Sequence, residues 1–258
     1  MSEKIEVKEH LEPEIVMLEG KVAIVTGGTT GIGRATAMLL AGKGVKVVIY
    51  GRHERKVRNT LQDLEETGGE FHGVTADNAY EDEIVRVFEE TRQRFGDIDI
   101  LVNNAAIPGG SILKTSYDAA LYAIRVNLLG YLVCIREAVK MMRNKGGGHI
   151  VNIGSLSAKV REPDSDVYVA TKAGVQAMSE SLRKQLAEEN IRVSLIEPGL
   201  VGTHLHGEPP DVERQVEMEA AGKMLAAEDI ARSIYYVLTQ PPRSNVLELR
   251  VAPIHEGI

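Results

Sequence analysis

The sequence predicts a doubly wound α/β fold: one domain on a seven-stranded parallel sheet with helices on both faces. Three observations carry this. Short β-branched apolar runs alternate with helical stretches from residue 21 to residue 251, which is the rhythm of βαβ units. The runs are continuously apolar, as strands are when both sheet faces are covered by helices. A glycine-rich turn joins the first run to the first helix, the place where such folds aim a helix N-terminus at phosphate.

The elements follow in order. Residues 21–26 (KVAIVT) form a strand and residues 32–43 a helix. Residues 46–50 (KVVIY) form a strand, 54–67 a helix and 70–76 a strand. Residues 81–95 form a helix with Ile84, Val87, Phe88 and Thr91 on one face. Residues 100–103 are the fourth strand. Residues 117–145 read as one long helix, with Leu121, Ile124, Leu128, Leu132, Ile135, Val139 and Met142 at helical spacing. A strand at 149–154, a helix at 167–189, a strand at 192–197, a helix at 229–239 and a strand at 246–251 complete the pattern. Residues 1–18, polar and charged with Pro13, are expected to be a flexible arm ahead of a domain at 19–258. Residues 202–222 are the one long irregular insertion, expected to be a substrate loop over the carboxyl ends of the strands.

Composition narrows the function. The chain has 258 residues, 43% hydrophobic and 26% charged, so a packed core is expected and wholesale disorder is not. Lys plus Arg is 30 and Asp plus Glu is 37, a formal net charge of −7. That balance argues against nucleic acid, an acidic membrane surface or an acidic carrier protein as partner. The single cysteine, Cys134, excludes an intrachain disulfide and a Cys-based zinc site, and suits a reducing compartment such as the cytoplasm. No uninterrupted apolar run reaches 18 residues, so no membrane span is expected. His204 and His206 lack a carboxylate-rich frame and are expected to be polar loop residues, with no metal.

The turn Thr26-Gly27-Gly28-Thr29-Thr30-Gly31-Ile32-Gly33 follows the first strand and opens the first helix. Gly27 permits a tight turn, Gly31 lets a pyrophosphate approach the backbone, and Gly33 allows close packing of helix on strand. The spacing is TGxxxGIG, and with it the sequence resembles the short-chain dehydrogenase/reductase family, a Rossmann-like fold that binds NAD(P).

The resemblance extends along residues 19–252. Asp77-Asn78 ends the third strand, where the family's Asp holds the adenine amino group. Asn103-Asn104-Ala105-Ala106 is similar to the family's NNAG, and it implies Asn104 near the adenosine ribose, with Ala where the Gly would be. Pro198-Gly199-Leu200-Val201-Gly202-Thr203 resembles the PGxxxT segment, which implies Val201 and Thr203 on the nicotinamide carboxamide. After the second strand the chain reads Tyr50-Gly51-Arg52-His53. NAD enzymes place a carboxylate there for the ribose 2′-hydroxyl. Here Gly51 stands in its place, and Arg52 offers a guanidinium fork for a 2′-phosphate. A solvated surface arginine is the alternative, and Thr30 stands where relatives carry a second basic residue. NADP(H) is therefore favoured over NAD(H).

Tyr168 and Lys172 lie at i, i+4 and share one helix face, with Cβ atoms roughly 5–6 Å apart. A tyrosine titrates near 10 and is a poor base at neutral pH. A nearby ammonium, helped by the positive charge of an oxidised nicotinamide, favours its phenolate, which makes Tyr168 a general acid–base for an alcohol or ketone. Ser155, thirteen positions upstream, would place a hydroxyl at the substrate oxygen. The resemblance implies that Asn127 supports the lysine through a proton relay. A YxxxK pair alone is common; the ordered set of glycine turn, NNAA, Asn, Ser, Tyr and Lys is specific.

The ending Leu247-Glu248-Leu249-Arg250-Val251-Ala252-Pro253 is similar to the NADP-dependent 3-hydroxy acid and serine dehydrogenase branch. The expected reaction is hydride exchange between NADP(H) and a small hydroxy acid, alcohol or ketone; Lys159 and Arg161 belong to a polar loop that is either simply solvated or offers one of them to a substrate carboxylate. A 3-oxoacyl-carrier-protein reductase or other ketone reductase is the rival within the family, and a non-catalytic dinucleotide-sensing protein of this fold is the rival from another class. The helices at 117–145 and 167–189 are apolar over more than one face, which predicts a homo-oligomer, dimer or tetramer. Cys134, on the first of them, is expected to be packed and unreactive.

Overall fold

A computed structural model describes residues 15–203 and 211–255. Seven parallel strands form one sheet: β1 (Val22–Thr26), β2 (Lys46–Gly51), β3 (Phe71–Thr75), β4 (Ile100–Asn103), β5 (Gly148–Ile153), β6 (Ile191–Pro198) and β7 (Glu248–Val251), in the order β3-β2-β1-β4-β5-β6-β7. The strand order reverses between β1 and β4. Ligands of open α/β sheets bind in the crevice at such a switch point.

Side chains alternate through the sheet into two cores. Val22, Ile24, Val48, Tyr50 and Ile150 face one layer. It is built from α3 (Glu81–Phe95), α5 (Gly130–Lys145) and α7 (Asp166–Leu186). Ala23, Val25, Val47, Ile49 and Val151 face the other, built from α1 (Gly31–Ala41) and α9 (Ala227–Leu238). Burial on both sides is why these strands read as unbroken apolar runs. The remaining helices are α2 (Glu54–Glu65), α4 (Tyr117–Ile124), α6 (Ser157–Val160) and α8 (Val212–Ala220).

Three expectations need correction. The long helix expected at 117–145 is two α-helices, α4 and α5, joined by a π-helical turn at Arg125–Leu129. The extra residue of such a turn rotates the side chains that follow it, so the expected stripe does not stay inward: Ile124 and Leu132 are exposed, and Ile135, Val139 and Met142 are buried. Part of the insertion at 202–222 is ordered as α8, whose N-cap Asp211 accepts from the Arg214 amide at 3.0 Å. The last strand starts at Glu248, two residues later than expected. The expected arm at 1–18 lies almost wholly outside the described residues; Leu18 packs into the second core. By length and mean hydropathy Tyr117–Lys145 would pass for a membrane-crossing helix. In the fold, α5 lies on β4, β5 and α3 and supplies Tyr131, Cys134, Ala138 and Met142 to the interior. Burial pushes the Cys134 thiol up to about 12.

Candidate active site

A cavity of about 460 Å³ opens at the carboxyl ends of the strands. The glycine turn lines one end. Gly27 and Gly31 both hold positive φ, at 62° and 50°. A Cβ on Gly31 would meet Thr203 Cγ2 at 2.9 Å, and one on Gly33 would collide with the Gly27 carbonyl. The turn is locked from β4: Asn104 Nδ2 donates to the Thr26 and Gly27 carbonyls at 3.0 and 3.3 Å, and Thr26 Oγ1 accepts from the Asn104 and Ala105 amides at 2.9 and 2.8 Å. Thr30 caps α1 without a side-chain bond, and the first turn holds no acidic residue. The amides there point into the cavity end as a site for an anion. A dinucleotide pyrophosphate fits that cradle.

Beyond the turn, Arg52, His53, Lys56, Asp77 and Asn78 line the cavity. Arg52 Nη1 donates to Tyr122 Oη at 2.9 Å, and Tyr122 donates to Asp77 Oδ2 at 2.7 Å. Tyr122, on α4, is a member of this site that the sequence reading missed; one tyrosine in an apolar helix carries no signal of partners 45 and 70 positions away. Asn78 is buried, with its amide committed inward: it accepts from Tyr50 Oη and donates to the Val126 carbonyl at 2.8 Å. What Asn78 presents to the cavity is therefore backbone.

Ser155, Tyr168 and Lys172 line the same cavity, near its other end. Lys172 is fully buried. Its Nζ donates to the Ile153 carbonyl at 2.8 Å and to Tyr131 Oη at 3.4 Å, and lies 5.8 Å from the Tyr168 ring centroid. Burial pulls its pKa down to about 7. Burial pushes Tyr168 up to about 12, opposed by a hydrogen bond from Ser155 and assisted by the charge of Glu162. Tyr131, also missed from sequence, is fully buried, and its hydroxyl reaches the Ile153 carbonyl at 3.2 Å.

Asn127 sits within the π turn and is fully buried. Its amide pairs with Ile107 in both directions at 2.9 Å and reaches Thr171 Oγ1 at 3.4 Å. Its side chain thus fixes the segment after β4 against α7, one residue from Lys172. Pro198, Gly199, Val201 and Thr203 close the far wall; Val201 bridges Leu225, and the Gly202 amide donates to Leu225 at 2.9 Å. Thr29 and Ile32 complete the lining at the glycine turn.

Around Tyr168 the wall is largely apolar: Ile107, Pro108, Leu156, Val160 and Leu200, with Ser157 and Glu162. Lys159 and Arg161, which the sequence left open to a substrate carboxylate or to a solvated loop, are exposed and are not among the residues lining the cavity. His204 and His206 lie outside the described residues.

Comparison with known proteins gives consistent matches. The model of the short chain dehydrogenase family matches residues 21–213. The chain is 37% identical over 244 residues to an uncharacterized oxidoreductase of Staphylococcus saprophyticus, covering 93% of this chain and 100% of that one. Among solved structures, an actinorhodin polyketide ketoreductase with NADPH is 30% identical at a TM-score of 0.81, covering 90% of this chain and 96% of that one. A metagenomic short-chain oxidoreductase in complex with NADP is 29% identical at a TM-score of 0.79, covering 92% and 99%.

Proposed function

The chain belongs to the short-chain dehydrogenase family and is an oxidoreductase; from that premise we propose that it exchanges a hydride between NADP(H) and the carbinol or carbonyl carbon of a small alcohol or ketone. The observation that carries the reading is the meeting, in one cavity, of a phosphate cradle at Gly27–Gly33 with half-buried Ser155 and Tyr168 and fully buried Lys172.

The cradle, with Thr29, Thr30 and Ile32, would hold the pyrophosphate. Arg52 would hold the 2′-phosphate, Asp77 and the Asn78 backbone the adenine, and Asn104 the adenosine ribose. Pro198, Gly199, Val201 and Thr203 would hold the carboxamide, and Lys172 the nicotinamide ribose. Bound NADP(H) supplies or takes the hydride. The proton belongs to the protein. Tyr168, raised to about 12, carries its proton at neutral pH, and that acid form serves carbonyl reduction. Tyr168 gives the proton to the substrate oxygen, Ser155 orients that oxygen, and the Lys172 ammonium stabilises the phenolate left behind. Asn127 holds the Ile107 segment that walls the substrate side. The two NADP(H)-bound neighbours support the cofactor reading, as does Arg52 on the cavity wall.

On the substrate, neutral carbonyls fit better than the hydroxy acids suggested by the chain's ending. Among the described residues, the wall around Tyr168 offers no exposed cation for a carboxylate. A panel of neutral ketones, hydroxy acids and acetoacetyl thioesters, run with NADP(H) and NAD(H) beside a Tyr168→Phe control, tests the reading. Turnover of neutral ketones with NADPH, lost in the control, supports it. Turnover only with NAD(H) overturns the cofactor assignment, and turnover surviving in Tyr168→Phe overturns the mechanism.

We also propose a homo-oligomer. Tyr117, Ile124, Leu129 and Leu132 leave an exposed apolar stretch along α4, the π turn and α5, and two copies meeting about a twofold axis would cover it. A monomer by light scattering would refute this.

A further inference from the structure

Hydride and proton transfer leave one carboxylate in the cavity unused. Glu162 lines the same space as Ser155, Tyr168 and Lys172. Local backbone puts it there: α6 ends on Arg161, whose φ of 60° reverses the chain immediately before Glu162. Glu162 Oε1 accepts from Ser157 Oγ at 3.1 Å, and the Ser157 amide donates to Ser155 Oγ at 3.1 Å. The carboxylate is therefore tied, through one residue, to the hydroxyl that bonds Tyr168. It also faces Tyr168 closely enough to help hold its phenol protonated.

Among the described residues no cation pairs with it, and the Lys172 ammonium in the same cavity is held by the Ile153 carbonyl and Tyr131 Oη. Asp164 takes Lys114 at 2.9 Å. Lys159, Arg161 and Glu162 are all exposed, and of the three only Glu162 lines the cavity. The rest of this wall is the apolar set Ile107, Pro108, Leu156, Val160 and Leu200. A negative charge at the exposed edge of an otherwise apolar wall discriminates between ligands by their charge, rejecting one sign as it attracts the other.

We infer that Glu162 sets the charge class of the substrate: it takes up an ammonium group carried beside the reacting carbinol or carbonyl carbon and turns away a carboxylate in that position. The substrates of this site are then amino alcohols and amino ketones before hydroxy acids. The inference rests on the hydride-transfer reading above.

The test uses the full chain with NADP and three alcohols of similar size: isopropanolamine, sec-butanol and β-hydroxybutyrate. The wild type is expected to rank them by kcat/KM in that order. Glu162→Gln is expected to lower the ratio of kcat/KM for isopropanolamine over sec-butanol by about tenfold, the effect of losing about 1.4 kcal/mol of selective binding. Glu162→Lys is expected to invert the order of isopropanolamine and β-hydroxybutyrate. A Glu162→Gln variant that slows all three alike, with the ratio intact, overturns the inference and makes Glu162 a support for Ser157. Turnover of sec-butanol without any charge ranking also overturns it and leaves the oxidoreductase reading standing. Failure of the wild type to oxidise any of the three overturns both.

Discussion

Replacing Lys172 by methionine is expected to stabilise the ligand-free protein while abolishing turnover. The Lys172 ammonium lies in a fully buried site, and burial pulls its pKa from 10.5 to about 7. In the unfolded chain the group keeps the higher value. Between about pH 7 and pH 10.5 the unfolded state therefore binds more protons, and this residue makes stability rise with pH. Below pH 7 both states are protonated and the fold bears the whole cost of burying the charge. At about 1.4 kcal/mol per pH unit that cost is about 5 kcal/mol at most. Methionine forfeits the bonds to the Ile153 carbonyl and Tyr131 Oη, at 2.8 and 3.4 Å, but the Ile153 carbonyl keeps Tyr131 Oη at 3.2 Å. The 2.8 Å bond, from a charged group, contributes about 1.5–3 kcal/mol, and the 3.4 Å contact is too long to add appreciably. The net gain is then about 2–3 kcal/mol near pH 6, or a Tm higher by about 4–10 °C for a domain of this size. Scanning calorimetry of both proteins from about pH 6 to pH 10 checks this. The difference should be greatest at the acid end and close as pH rises. Cys134 and Tyr168, both raised to about 12, act with the opposite sign at high pH, but they act in both proteins and drop out of the difference. A variant that melts lower than the wild type, or a gap independent of pH, would refute the reasoning.

Other outcomes follow from the same geometry. Tyr168→Phe should lower turnover about 10²–10⁴-fold with NADPH binding retained in a fluorescence titration; binding lost in parallel would contradict an acid–base role. Tyr122→Phe removes the hydroxyl between Arg52 and Asp77, so the KM for NADP(H) should rise about three- to tenfold relative to NAD(H), and an unchanged ratio in steady-state kinetics would remove Tyr122 from the site. Gly33→Ala forces a methyl group against the Gly27 carbonyl and to 2.5 Å from Asn104 Nδ2. Its thermal melt should report a loss of about 1–3 kcal/mol, and an unaltered melt would mean the turn relaxes freely.

The sheet was legible because its strands are buried on both faces. Burial on two faces forces continuous apolar runs, so the expected strand at 100–103 coincides with β4 and the helix at 81–95 with α3. The face Ile84, Val87, Phe88 and Thr91 is the buried face of α3. The π turn was not legible. Helical spacing reports period, and a single inserted residue alters the phase without changing the local pattern, so Leu121, Ile124, Leu128 and Leu132 read as one stripe. Helix α8 was hidden by the Gly and Pro residues ahead of it, although Asp211 was a readable N-cap.

The candidate site was legible where chemistry restricts residue type at fixed spacing, as at Gly27–Gly33 and at Tyr168 with Lys172. It was hidden where a role depends on distant partners: Tyr131 beneath Lys172, and Tyr122 between Arg52 and Asp77. Sequence spacing also left the electrostatic balance undetermined. An adjacent ammonium was expected to favour the Tyr168 phenolate. In the fold, burial acts on both groups and penalises whichever form is charged, so Lys172 falls to about 7 as Tyr168 rises to about 12. Near neutral pH the tyrosine is therefore neutral and the lysine is poised between its two forms. The charge separation that proton transfer requires is not stored in the resting pair.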